Sequence, residues 1–338
     1  MQGLAASLSS RSGLQRLIVL YFHRVLAEPD PMFPDIPIRQ EFDQQMAALA
    51  DMFCVLPLDE AVDALVEDCL PASAVAITFD DGYADNFHCA LPVLQRYGLP
   101  ATFFVAPAFL DGGVMFNDQV MEACRHFPVG RIDTGLSELG VQYLDSDSAR
   151  RALAETMIGR IKYLPPARRD ECARALLELA GCPLPVGLMM TGEEVAELPA
   201  HGITVGAHTW SHPILSALAA PDAQTELEKG RRALQEITGQ VVDLFAYPNG
   251  RPGRDYGPRD VAMVRSMGFK AAFSTQWGCA DRRWDRWQLP RIAPWDRSRL
   301  RFGLRVTKAL VDRVQIAHAT PDSSIQRMAA EEKEQRNA

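Results

Sequence analysis

Six short runs of almost unbroken apolar residues set the strongest limit on the fold of this chain: Leu17–Phe22, Ala74–Phe79, Ala101–Val105, Ile203–Ala207, Val242–Tyr247 and Ala271–Ser274. A strand with one wet face alternates apolar and polar residues, so continuous apolarity over strand length predicts strands covered on both faces. Helical patterns with glycine stops lie between several of the runs, over residues 86–97 before Gly98, 222–237 before Gly239 and 259–267 before Gly268. Strand and helix in alternation predict an α/β fold with a parallel sheet, open or closed into a barrel.

The alternation breaks once, between Gly113 and Gly192, where helical periodicity appears over 118–126, 148–163 and 167–180 but no strong strand signal does. We read a helical insertion at about 113–192, punctuated by Pro165-Pro166 and by Cys182-Pro183-Leu184-Pro185. Apolar residues make up 47% of the 338, enough for a sizeable core. The expected organisation is a main domain over 15–300 and a C-terminal helical and polar tail over 301–338. A net charge of −8 argues against a broad phosphate-binding face, so no nucleic-acid partner is expected. Seven dispersed cysteines without a CxxC pair predict reduced thiols rather than a zinc knuckle. No apolar run is long enough to span a membrane, and Leu17–Phe22 ends in His23-Arg24 without a cleavage site, which predicts a cytoplasmic protein. The basic and apolar stretch 297–313 has two open readings: a helix packing its apolar side on the domain, or peripheral contact with an anionic membrane. Oligomeric state has no signal.

Two strand ends carry chemistry. The run Ala74–Phe79 leads directly into Asp80-Asp81-Gly82-Tyr83, placing two adjacent carboxylates at a carboxyl-terminal sheet edge, where sites in such folds form. Adjacent carboxylates repel unless a cation holds one of them. As a lone motif, Asp-Asp-Gly reads equally well as a turn or helix cap. The run Ile203–Ala207 ends in His208-Thr209-Trp210-Ser211-His212-Pro213, and two histidines four apart share a face if that segment is one helical turn. Together the two clusters point to a His-His-Asp metal site.

These two stretches resemble the first two signature motifs of the polysaccharide deacetylase family, also called the NodB-homology or carbohydrate esterase family 4 group. The resemblance implies a distorted (β/α)7-8 barrel, with Asp80 as catalytic base and Asp81, His208 and His212 holding a divalent metal ion, zinc foremost, with cobalt, nickel or manganese as alternatives. The family's third motif, Arg-Pro-Pro-Tyr-Gly, matches Ala246-Tyr247-Pro248-Asn249-Gly250, so the Arg that orients the base is replaced by Ala246. Arg291, in Leu289-Pro290-Arg291-Ile292, is the expected substitute, and the backbone near Asn249 the expected oxyanion donor. The family's Leu-x-x-His motif appears at the start of the chain, as Leu20-Tyr21-Phe22-His23. Because a barrel closes on itself, a strand first in sequence can stand where relatives place their last. The sequence therefore resembles the circularly permuted exopolysaccharide deacetylases, with His23 as general acid.

The activity this implies is metal-dependent hydrolysis of N-acetyl groups on an amino-sugar polysaccharide, oligosaccharide or lipid-linked glycan. Tyr83, Trp210, Trp277, Trp287 and Trp295 are candidate surfaces for a carbohydrate substrate, each competing with a core role. His88, His126, His201 and His318 read as bystanders. Two rival readings are a non-sugar amide hydrolase at the same metal site and a catalytically dead carbohydrate-binding protein.

Overall fold

The computed structural model describes residues 15–135 and 140–312. Five of the apolar runs form strands within a residue of their expected ends: β1 Leu17–Phe22, β3 Ala74–Phe79, β4 Ala101–Val105, β7 Ile203–Ala207 and β9 Ala271–Phe273. Between β7 and β9 lies β8, Leu244–Ala246, shorter than its apolar run. These strands pair in parallel in the order β1-β3-β4-β7-β8-β9, while β2, Cys54–Val55, pairs with the start of β3. The sheet curls. The extended segment around Leu289 and Ile292 bonds to β9 on one side, through Leu289 N to Ala272 O at 2.9 Å, and to β1 on the other, through Ile292 N to Val19 O at 2.8 Å. Hydrogen bonding therefore passes from the last strand back to the first, the distorted barrel the sequence predicts.

Alternation along each strand divides the core. Ile18, Leu20, Val75, Ile77 and Phe79 face the outer helices, among them α1, Arg39–Met52. Their neighbours Leu17, Val19, Ala74 and Ala76 pack with Phe104 and Phe273 in a second cluster. Small alanines opposite phenylalanines fill a curled sheet without voids. The helix α2, Leu58–Val66, joins that second cluster. After β3 the chain runs through a π-helical turn, Asn86–Ala90, into α3, Leu91–Tyr97, which stops at Gly98 in the left-handed conformation that glycine adopts without strain.

The insertion holds the three expected helices, α4 Phe116–His126, α5 Asp147–Ile161 and α6 Pro166–Ala180. It also holds an antiparallel pair, β5 Gly130–Asp133 and β6 Val141–Leu144, which corrects the expectation of a wholly helical segment. A two-stranded ribbon half in water needs no apolar run: Arg131, Asp133 and Val141 are exposed and Leu144 alone is buried. The short α7, Gly192–Glu197, opens with a Thr191 cap and leads back to β7. Two further helices, α8 Ala220–Thr238 and α9 Pro258–Ser266, connect the later strands.

The last described helix, α10 Arg299–Val311, crosses the expected boundary at residue 300 and buries Phe302, Val306 and Leu310 in the main core against α1. Arg16 donates to the carbonyls of Leu310 and Asp312, tying the two ends of the described chain together. Part of the apolar side of this stretch packs on the domain, while Leu300, Leu304 and Val311 stay exposed. No helix among the described residues is long and apolar enough to cross a membrane. His318 and the polar end of the expected tail lie outside the described residues.

Candidate active site

A cleft of about 690 Å3 opens at the carboxyl ends of the strands, and Asp80, Asp81, His208, His212, His23 and Asn249 all line it. That volume falls in the range of small-ligand sites. β1, β3, β7 and β8 therefore deliver to one place the groups that the motifs single out.

Asp80 ends β3 and is 2% exposed. Arg291, from the closing segment, meets it in a two-pronged ion pair, Nη1 to Oδ1 at 2.7 Å and Nη2 to Oδ2 at 2.8 Å. Burial alone would push the Asp80 carboxyl up, but the Arg291 guanidinium, with His208 and His23, outweighs it and holds the group below the usual carboxylate range. Arg291 also donates Nε to the Ser274 carbonyl and lies over the rings of Tyr21 and Phe104, which fixes its plane.

Asp81 Oδ1 faces two imidazoles, 3.4 Å from His208 Nε2 and 3.3 Å from His212 Nε2. The other nitrogen of His208, Nδ1, lies 2.7 Å from the Ala246 carbonyl oxygen. A carbonyl only accepts, so Nδ1 carries the proton and, in the neutral ring, Nε2 presents a lone pair towards Asp81. Asp81 Oδ1 is buried and receives no hydrogen bond. A lone pair facing a buried carboxylate oxygen calls for a cation between them, a proton or a metal ion, and because the ligand atoms of Asp81, His208 and His212 all lie within 4.8 Å of one another, the three residues fit a metal ion. Burial and then the imidazoles act on Asp81 in opposite directions, and the imidazoles win, holding its carboxyl far below the usual range. Burial pushes His212 down to about 3, keeping its ring neutral as a ligand requires.

The histidines do not converge by helical periodicity, which corrects the predicted helical turn. Residues 208–213 form an irregular loop in which Thr209 and His212 have positive φ, 63° and 53°. Asp81, at 78°, and Asn249, at 58°, share this uncommon backbone, so four of the seven such non-glycine residues described gather here. Strained backbone of this kind persists where surrounding contacts over-determine it. Glu226 on α8 supplies some of those contacts, accepting from Trp210 N at 3.0 Å, Ser211 N at 2.7 Å and the Ser211 hydroxyl at 2.8 Å. Glu226 is a residue that the sequence reading missed, since a glutamate on a helix carries no local mark of its partner.

His23 follows β1 on the exposed side of the cleft, its ring 5.7 Å edge-on from Tyr21. Tyr83 lines the cleft but is 3% exposed, and its hydroxyl lies 3.1 Å from both Asp118 oxygens, so it offers no open ring face to a sugar. Asn249 sits with its carbonyl bound by the Thr275 hydroxyl and its side-chain Oδ1 3.1 Å from Lys162 Nζ. Trp295 and Trp277 are exposed and pack on each other at 5.0 Å, just beyond the cleft-lining Pro294. Trp287 instead bonds to the Phe269 carbonyl, and Trp210 lines a separate shallow pocket. From the insertion, Phe116, Asn117 and Asp118 line the cleft rather than an open surface, joined by Arg151, Ile158 and Lys162.

A curled parallel β/α sheet with a carboxylate and imidazole cluster at its carboxyl edge defines a β/α-barrel protein whose cluster could hold a metal ion. The sequence profile described as "Polysaccharide deacetylase" matches residues 67–125 and 178–272. Those spans omit much of the insertion, β1 with His23 and the closing segment with Arg291. YxkH of Bacillus subtilis (strain 168), which bears the polysaccharide deacetylase name, is 23% identical over 279 residues, 82% of this chain and 71% of that protein. The deacetylase PplD of Streptococcus pyogenes superposes with a TM-score of 0.58 at 20% identity, over 87% of this chain and 99% of that one. IcaB from Ammonifex degensii gives 0.55 at 22% identity, over 88% and 98%. The profile match and these likenesses support the resemblance of the chain to polysaccharide deacetylases.

Proposed function

We propose that this protein hydrolyses N-acetyl groups from an amino-sugar glycan, with Asp81, His208 and His212 holding a divalent cation, zinc by preference for its tetrahedral nitrogen and oxygen ligands. The cation would supply polarisation of the amide carbonyl and a lowered pKa for water in the site. Asp80 takes the proton of the attacking water, kept ionised and aimed by Arg291. The backbone N–H near Asn249 stabilises the oxyanion, and protonated His23, across the cleft, gives its proton to the departing nitrogen. Acetate and a free amine result. The PplD structure is a complex with acetate, the acid such a reaction releases. The exposed Trp277, packed on the Trp295 that follows the cleft-lining Pro294, would offer a ring to the C–H face of a sugar, while one face of Trp295 itself is covered by Arg305 at 4.3 Å.

One observation carries this reading. Asp81, open towards two imidazoles, adjoins an Asp80 that is clamped and charged, so ligand and base stand side by side with different partners. The test is metal content together with acetate release from N-acetylated oligosaccharides. About one metal ion per chain is expected, with activity lost to a chelator and restored by zinc. Asp80→Asn is expected to lower kcat by about 10²–10⁴. Full activity in chelator-treated protein, or in Asp80→Asn, would refute the assignment.

A further inference from the structure

The cleft holds more positive charge on one wall than the reaction requires. Three arginines at the cleft are matched, Arg24 with Asp85 at 2.7 Å, the buried Arg291 with Asp80, and Arg151 with Glu155 at 3.9 Å, while the lining carboxylates Asp35 and Asp118 have no ion pair among the described residues. Neither Lys162 nor Arg251 is matched in this way. Lys162, at the end of α5, hydrogen-bonds the neutral Asn249 amide oxygen and lies 5.1 Å over the Tyr163 ring, and the cleft-lining Arg251 guanidinium has no ion pair among the described residues. The nearby carboxylate, Asp255, is fully buried and already accepts from the Tyr163 hydroxyl at 2.8 Å and the Arg251 backbone at 3.0 Å. Arg254 stands behind them over the Tyr163 ring at 5.1 Å. Burial holds the Lys162 amine below its ordinary range; Asp255 opposes it, and Arg251 and Arg254, close enough to repel Lys162, push the same way as burial. Such repulsion, in a chain of net charge −8, is relieved when an anion enters.

We propose that Lys162 and Arg251 form an anion subsite beside Asn249, and that the glycan substrate carries an acidic oxyanion substituent, a phosphate or a carboxylate. The substrate part of this rests on the deacetylase reading; the anion site rests on geometry. Lys162 comes from the insertion and Arg251 from the loop after β8, so the site exists only when both walls are in place. A phosphate or carboxylate bound there accepts hydrogen bonds from both cations while the N-acetyl group lies towards Asp80.

The test compares acetate release from neutral N-acetylglucosamine oligomers with release from oligomers of equal length bearing a phosphate or a uronate carboxylate. The wild type is expected to favour at least one anionic series by about tenfold in kcat/KM at low salt, a preference that shrinks as ionic strength passes about 0.15 M. In the double variant Lys162→Met/Arg251→Gln the ratio falls towards one, whereas Arg232→Gln, the same kind of charge loss on the exposed face of α8, keeps it. The phosphate and uronate arms identify which anion is preferred. Loss of a merely structural lysine would slow neutral and anionic oligomers alike and leave the ratio unchanged, which overturns the proposal, as does a wild-type ratio near one. Calorimetric titration with inorganic phosphate gives a readout independent of turnover: binding heat present in the wild type and absent from the folded double variant supports the subsite, and equal heat in both overturns it. Were no oligomer deacetylated, the deacetylase reading would fail while this titration still decided the subsite.

Discussion

Three carboxyl groups, Asp80, Asp81 and Asp118, are buried at this cleft, and their partners give them different charge behaviour. Burial raises all three. Arg291 reverses the effect at Asp80 and the imidazoles reverse it at Asp81. Asp118 has no such partner: Arg24 opposes its burial from a distance while bonded to Asp85, and the charge of Asp81 adds to the upward push. Its carboxyl therefore rises to about 7. A folded-state value above the unfolded one, about 3.9, means that the contribution to stability is full below about pH 4 and is lost as pH climbs towards 7. Asp118→Asn, which keeps an acceptor for Tyr83, should gain on the wild type by roughly 2–4 kcal/mol over that window and hold a constant lead above it. Denaturant titrations at pH 5 and pH 8 check this. A gap that does not change with pH would contradict it.

Among the elements, the loop after β7 depends most on its neighbours. Its left-handed residues are held by Glu226 and by the close approach of α8, where Gly230 faces the Thr209 carbonyl. A Cβ on Gly230 would stand 2.4 Å from Thr209 O and 2.9 Å from Trp210 N, both backbone atoms, so helix or loop would have to move. Gly230→Ala is expected to cost about 1–3 kcal/mol by overpacking and to weaken metal retention, because His208 and His212 bracket the displaced segment. Thermal melts and metal content measured together would show this, and an unchanged melt with full metal would refute it. The fully buried strands and the glycine stops at Gly98 and Gly239 were legible in the sequence, because burial on both faces and left-handed caps each restrict residue type. The geometry of the histidine loop was not, since its spacing imitates a helical turn while its conformation comes from Glu226 and Gly230, both on α8.

On the scale of the whole molecule, the insertion is a second packing unit. Phe116, Val120, Leu153, Met157 and Leu176 form its own cluster, joined by Met32 from the loop after β1. Arg125 clamps Asp30 with two bonds, at 2.9 and 2.7 Å, so the insertion and that loop are held together. Met157→Ala should cost about 2–5 kcal/mol, with hydrogen exchange accelerating across α4 to α6 while β3, β4 and β7 keep their protection. Uniform acceleration through the barrel strands would show that the insertion is not a separate cooperative unit.

The amino-acid order alone pointed to the six buried strands of the main sheet, the parallel α/β class and the carboxylate and imidazole cluster, because each depends on residue type within a few positions, whereas β2 and the β5–β6 ribbon lie outside the six apolar runs. It also pointed to Arg291 as the partner of Asp80, since the Ala246 position left that carboxylate without one. Only the tertiary structure decided that Arg291 reaches it, that the closing segment joins β9 to β1, and that Lys162 and Arg251 face the same cleft. Those contacts join residues far apart in the chain, and local sequence carries no record of which distant groups folding will bring within hydrogen-bond reach.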